Sequence, residues 1–287
     1  MATLKELTTK IASLKSTQKM TKTMKLVAAS RMRRAQQAQE RAHEYAVRQQ
    51  RLLDNVSASV AGVSHPLLEK RDPVRSVLLL VVVSDRGLCG GFNNSLLHHV
   101  EDWHAENLEK YERIEMSFCG RRGYTHLKHS VPVRTYYEGA TEHPSYAIAE
   151  EMALEIMSLF TEGEFDEIHV AYNRFKNTLV QIPTLTRLLP IQPSEDGEKV
   201  TEETDYIFEP AGQELLQLLL PTAVKFRTFN VLLENAAGEH AARMTAMESA
   251  SRNAGDLIDR YTLLRNRERQ AAITSELIDI VTGAQSL

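Results

Sequence analysis

Apolar and small residues recur at steps of three and four from the start of the chain: Leu4, Leu7, Ile11, Leu14, then Met24, Ala28, Met32, Ala35, Ala38, Ala42, Tyr45, Leu52, Val56 and Val60. Polar Gln18, Thr21 and Gln49 fill the vacant seam positions. This spacing places a narrow stripe on one helical face. No Gly or Pro interrupts residues 1–60, so the pattern predicts one helix, roughly 80–90 Å long at the α-helical rise. A compact domain cannot bury such a helix, so it is expected to project and to need a partner for its stripe.

The end of the chain offers that partner. After Pro221 the same spacing runs through Phe226, Phe229, Leu233, Ala237, His240, Met244, Met247, Ala250, Ala254, Leu257, Tyr261, Leu264, Ala272 and Ile280, and Gly283 suits a helix stop. Gly238 and Gly255 lie inside it; each costs about 1 kcal/mol relative to Ala, and each permits close helix approach. Two terminal helices with narrow seams predict an antiparallel coiled coil.

The period changes between them. Strands are expected at 76–84, 113–119, 131–137 and 167–173, separated by helices at 93–111, 121–129 and 145–161; this alternation predicts parallel strands with crossover helices. The last strand faces a second run, TLVQIPTLTRLLPI, across a short turn near Lys176 and Asn177, which suits an antiparallel hairpin on an otherwise parallel sheet. The expected fold class is α/β: an antiparallel coiled coil of long N- and C-terminal helices plus a Rossmann-like, mostly parallel domain. The expected divisions are an N-terminal helix at 1–60, a linker at 61–75, the α/β domain at 76–192, an acidic linker at 193–210 and a C-terminal helix at 211–287.

Charge separates these regions further. Residues 1–51 carry 12 Lys and Arg against 3 Asp and Glu, residues 52–210 carry 14 against 26, and residues 211–287 carry 8 against 9. The basic first helix fits a nucleic acid, an acidic protein surface or plain solvation; it has one aromatic residue, Tyr45, for base stacking. The longest apolar run, 77–83, is too short to span a bilayer, and the N-terminus has no continuous apolar segment of the kind a secretory leader needs. Cys89 and Cys119 form no metal-ligand spacing and read as reduced thiols.

The segment SDRGLCGGFN, 84–93, has the outline of a phosphate-binding turn. Its glycines follow GxxGG rather than GxGxxG, and no GK[ST] is present. A tight structural turn is the favoured reading. Arg86 and the first turn of the next helix could still contact an anion, and Asp85 and Arg86 could pair with each other or cap a helix. His98 and His99 lack i,i+4 partners and read as solvated, His240 reads as a core histidine, and no serine sits in GxSxG. No catalytic, cofactor or metal set emerges.

Five strings resemble the γ subunit family of F-type ATP synthases: ASLKSTQKMTKTMKLVAASRMRRAQ (12–36), SDRGLCGGFN (84–93), LLPI (188–191), EHAARMTAMESASRNAGDLID (239–259) and RNRERQAAITSELIDIVTGA (265–284). The resemblance covers both ends and the centre. It implies the same fold and a non-catalytic rotor, whose coiled coil turns inside a ring of α and β subunits. Its foot would sit with the ε subunit on the membrane c-ring. By motif match, Met24, Lys25, Arg31, Arg33, Arg243, Arg269, Gln270, Thr274 and Glu276 fall at or beside contact and coupling positions. Asp85, Arg86, Gly87, Gly90 and Gly91 would lie on the foot near ε and the c-ring. The resemblance further implies no cofactor, no metal, no nucleic acid, no small-molecule substrate and no membrane span of its own. The expected location is peripheral, on the cytoplasmic face of the bacterial plasma membrane.

Overall fold

The computed structural model of the chain describes residues 4–59, 65–191 and 212–285. The expected acidic linker at 193–210 lies outside the described residues. The chain forms two compact units, one from residues 1–29 with 243–287, the other from residues 30–242.

In the first unit, helix α1 (Leu4–Ser59) contributes Leu7, Ile11, Thr21 and Ala28 as buried seam positions, with Leu14, Gln18 and Met24 half-buried between them. Helix α5 (Gly212–Gln285) answers with buried Met247 and Ala254 and half-buried Ile258 and Tyr261. Lys10 stands over the Tyr261 ring, the Gln18 side-chain amide donates to the Ser251 carbonyl at 3.4 Å, and Lys25 pairs with Glu248 at 2.9 Å. Rising numbers on one helix meet falling numbers on the other, so the coil is antiparallel. A Cβ at Gly255 would lie 3.0 Å from the Gln18 amide nitrogen, so this glycine makes room for a seam residue. From Ile273 to Thr282 every α5 residue is exposed, including Leu277, Ile278, Ile280 and Val281.

The second unit is built on a five-stranded sheet in the order β3-β2-β1-β4-β5. Its elements follow one another as β1 (Ser76–Val82), α2 (Phe92–Asn107), β2 (Arg113–Cys119), α3 (Arg121–Leu127), β3 (Val133–Tyr137), α4 (Tyr146–Thr161), β4 (Glu167–Phe175) and β5 (Gln181–Leu189). β1 pairs in parallel with β2 and β4, β2 in parallel with β3, and β5 runs antiparallel to β4. Alternate β1 side chains serve opposite faces. Leu79, Val81 and Val83 pack with Leu96, Leu97 and Val100 of α2 and Leu127 of α3, while Leu78, Leu80 and Val82 pack with Met152, Ile156 and Phe160 of α4. Covering on both faces explains why β1 is an unbroken apolar run.

The α4 face also receives Leu216, Leu220, Val224, Val231 and Leu232 of α5. This departs from the expectation of one continuous coiled-coil seam along the C-terminal helix. Residues 231–239 are all buried, so here the helix is enclosed on every side rather than along a stripe. The sheet and α4 pack against it, and just before it the Phe226 ring lies 4.3 Å from Tyr45 of α1 and 5.2 Å from Tyr146 of α4. α5 also runs straight through Pro221. An interior proline costs about 3 kcal/mol; fully burying Leu216, Leu220 and Val224 recovers about 1.5–3 kcal/mol each. Packing therefore overrides the helix breaker.

Enclosure forces polar residues inside. Glu234 is buried, accepts the Phe175 N–H at 2.9 Å and takes a hydrogen bond from the Tyr172 hydroxyl. Burial raises its carboxyl above the ordinary glutamate range, and burial with the nearby Glu234 charge pushes the Tyr172 hydroxyl up to about 12. A raised carboxyl binds a proton more tightly in the folded chain than in the unfolded one. Its favourable contribution is complete below the ordinary value of about 4.3 and disappears as pH rises through the folded value. Glu234→Gln, which keeps an acceptor for Phe175 and never ionises, should therefore gain melting temperature relative to the parent as pH goes from 4 to 8. Parallel melting curves for the two chains across that range would contradict the assignment.

Candidate functional site

At the end of β1 the chain turns sharply between two helices, and the turn is held by buried side chains. The Ser84 N–H donates to Asn93 Oδ1 at 3.0 Å. The Asn93 amide donates to Ser84 Oγ at 2.7 Å and to Cys89 Sγ at 3.3 Å. The Ser84 hydroxyl also lies 2.6 Å from the Arg86 carbonyl. Gly90 has φ +60°, and Gly91 stands immediately before α2. Gly87 packs against the Arg122 guanidinium so closely that a Cβ would overlap it.

Asp85 and Arg86 do not pair with each other. Asp85 Oδ1 accepts the Arg121 N–H at 2.9 Å, capping α3, and Oδ2 accepts the Thr141 hydroxyl at 2.7 Å. Arg86 pairs with Glu142. The two residues thus tie the β1 loop to the start of α3 and to the segment before α4. Outside this frame an open cavity of about 790 Å³ is lined by Arg86, Arg121, Arg122, Thr125 and His126. Cys89 and Cys119 are buried thiols that form no disulfide, and burial pushes the Cys119 thiol well above its ordinary range. Among the described residues no group of His, Cys, Asp or Glu could hold a metal ion.

In an open α/β sheet the ligand crevice lies where neighbouring strands are reached by crossovers in opposite directions, here between the C-terminal ends of β1 and β4. α5 fills that crevice. The Asn235 amide donates to the Val83 carbonyl at 3.4 Å, and the Asn173 amide from β4 donates to the Phe92 carbonyl at 2.9 Å. A Cβ on Gly238 would lie 3.0 Å from the Phe92 ring. Phe92 and Cys89 also share a small apolar cluster with Ala242. Gly238 thus permits the close approach expected from sequence, but the approach is to the α/β domain.

The remaining sequence candidates fall on two helices. In the first unit Met24 and Lys25 are half-buried in the coil, Arg243 is half-buried, and Arg269, Gln270, Thr274 and Glu276 are exposed along α5. The Thr274 hydroxyl donates to the Gln270 carbonyl at 2.9 Å. A basic recess of about 400 Å³ beside Lys25 is lined by Lys15, Lys19, Lys22 and Arg252. Arg31 and Arg33 are exposed on the stretch of α1 that belongs to the second unit. Asn93, Asn173, Asn235 and Thr141 escaped the sequence reading. Nothing in the string distinguishes an asparagine that satisfies a buried carbonyl from one in solvent.

An α/β domain with its crevice closed by its own C-terminal helix, together with an antiparallel coil drawn from both chain ends, defines a coiled-coil α/β protein rather than an open dinucleotide fold. The ATP synthase family model matches residues 3–287. The chain is 42% identical to the ATP synthase gamma chain of Geobacter metallireducens and 40% identical to that of Trichlorobacter lovleyi, in both cases over all of this chain and 99% of the relative. It shares its fold with a chain of the Euglena gracilis mitochondrial ATP synthase rotor, with a TM-score of 0.61 at 15% identity over 94% of this chain and 98% of that one. A chain in the OSCP/F1/c-ring structure from the same organism gives 0.65 at 17% identity, over 99% and 94%. The chain belongs to the ATP synthase γ chain family.

If Asn93 holds the loop, Asn93→Ala should destabilise the chain by about 1–3 kcal/mol, because the Ser84 N–H is left buried without its acceptor. Chemical unfolding of the full chain measures this; a loss under about 0.5 kcal/mol, the range of neutral surface changes, would show that the network does not hold the turn.

Proposed function

We propose that this chain is the non-catalytic rotor of a rotary F-type ATP synthase. Its coiled coil would turn within a ring of α and β subunits that carry the nucleotides, and its α/β domain would meet the ε subunit and the membrane c-ring. Ion flow through the c-ring would drive rotation and ATP synthesis, and ATP hydrolysis would drive the reverse. The observation that carries this reading is identity of about 40% to bacterial ATP synthase gamma chains from end to end, both long helices included. The filled crevice supports it by leaving the sheet's usual ligand position to α5. The location that goes with this role is peripheral, at the cytoplasmic face of a bacterial plasma membrane; no described helix is long and apolar enough to cross a membrane.

The mechanism requires contacts that differ between states, since a partner shifts an equilibrium only by its differential affinity. Lys15, Lys19, Lys22 and Arg252 give the coil a basic side. Such charges attract acidic partner loops and favour one orientation without locking it. Arg31 and Arg33 extend the exposed basic residues along α1. Arg269, Gln270, Thr274 and Glu276 offer exposed hydrogen-bonding groups further along α5, while Met24 and Arg243 are half-buried elsewhere on the two helices. Asp85, Arg86, Gly87, Gly90 and Gly91 would shape the foot.

Co-assembly of the full chain with matching α and β subunits should give an ATP-hydrolysing complex that rotates in single-molecule assays; failure to assemble with correctly matched subunits would overturn the reading. In the complete complex, Arg269→Ala with Gln270→Ala should lower ATP-driven ion pumping by roughly 2- to 30-fold, the range set by coupling energies of about 0.5–2 kcal/mol. The melting temperature of the isolated chain should stay unchanged, because both side chains are exposed. Unaltered pumping by the double variant would remove these two residues from the coupling set.

A further inference from the structure

The loop after β1 is secured on its inner side by Ser84 and Asn93, and it also borders the open cavity of about 790 Å³. To the wall of that cavity α2 contributes Asn94, and α3 contributes Arg121, Arg122 and Thr125. The volume falls in the range of small-molecule pockets. The rotor role asks this loop to shape the foot and gives the cavity no occupant.

The wall is basic against the trend of its surroundings. Residues 52–210 carry 14 Lys and Arg against 26 Asp and Glu, yet residues 120–137 hold Arg121, Arg122, Lys128 and Arg134 and no acid. Arg121 and Arg122 are exposed, and neither side chain forms an ion pair among the described residues. The acids around them are engaged elsewhere. Asp85 accepts from the Arg121 N–H and the Thr141 hydroxyl, Glu142 pairs with Arg86, and Glu101 is held by His98 and His126. The Arg122 guanidinium lies against Gly87, which sets a cation beside the loop. Thr125 is three residues further along α3 and shares that face.

Leu88 lines the same cavity and is 64% exposed. Its φ of +65° lies in the left-handed region, which a bulky non-glycine residue seldom adopts. The loop therefore holds an apolar side chain in water on the wall of a basic cavity.

We propose that this cavity binds a small phosphomonoester with an apolar organic part. Its phosphoryl oxygens accept from Arg121, Arg122 and the Thr125 hydroxyl, and its organic part packs against Leu88. A phosphoryl group brings three acceptor oxygens and nearly two negative charges, enough for both arginines and the hydroxyl, whereas a carboxylate brings two oxygens and one charge. Side chains hold the anion here, not the loop amides that a dinucleotide fold would use.

In ¹⁵N-correlated spectra of the full chain, phenyl phosphate should shift the amides of residues 87–90 and 121–126 saturably at roughly millimolar concentration. Inorganic phosphate lacks the apolar part and benzoate lacks the second charge, so each should bind about tenfold more weakly. Arg122→Gln should weaken phenyl phosphate about tenfold. Lys128→Gln, which removes the same charge from α3 outside the cavity, should leave it unchanged. Leu88→Gly should reduce phenyl phosphate to the level of inorganic phosphate and leave the latter unaltered. Circular dichroism would verify folding; if a variant fails, the three probes on the parent chain decide alone. No saturable shift, equal binding of all three probes, or equal losses in the Arg122 and Lys128 variants would overturn the proposal. So would binding to phosphatidic acid vesicles without any response to phenyl phosphate, which would make the basic face a membrane surface. None of these outcomes bears on the rotor reading, which the assembly experiment tests separately.

Discussion

The structure turns on the burial of one helical stretch, residues 231–239 of α5, against the sheet and α4. Once that stretch is enclosed, other features follow. Glu234, Asn235 and Glu239 are taken out of water, and an unpaired buried polar group costs more than a made hydrogen bond returns. The helix is seated so that some of these groups find partners, although Asn235 Oδ1 is left buried without one among the described residues. Asn235 finds the Val83 carbonyl, where β1 ends, and Glu234 finds the Phe175 N–H at the end of β4. The two strand ends that would frame a ligand crevice in an open α/β protein become the socket for the chain's own terminal helix.

That seating explains the glycine loop. In a dinucleotide fold the loop after β1 exposes backbone N–H groups to a pyrophosphate. Here the loop is secured from within by Ser84 and Asn93, and Asp85 is committed to the α3 N-terminus and Thr141. Phe92, the first residue of α2, is pinned by Asn173 through its carbonyl and packed against α5 at Gly238. Gly90 is needed for tight geometry by its positive φ, so a phosphate is not required to account for it. In a γ chain this seats residues 231–242 of α5 within the α/β unit itself.

Much of this was legible beforehand where the signal is local. The unbroken first helix follows from a period of three to four with no Gly or Pro through residue 60. The sheet follows from short apolar runs alternating with amphipathic segments, and its antiparallel edge from the short turn at Lys176 and Asn177. The tail of α5 kept its apolar period past Ala272 although the side chains there are exposed, so periodicity alone could not say which stripe is covered. Helix passage through Pro221 was illegible as well, because the burial that outweighs the proline comes from residues far away in sequence.

By itself the sequence determined the elements, their order, the charge of the first helix and the family. Each is carried by neighbouring residues or by strings of them. Tertiary structure alone decided that the C-terminal seam divides between a sheet and a coil, that Asp85 and Arg86 serve different helices, and that Arg122 of α3 lies against Gly87 of the loop after β1. These depend on which distant backbone groups a side chain meets once water is excluded. No spacing along the chain encodes that.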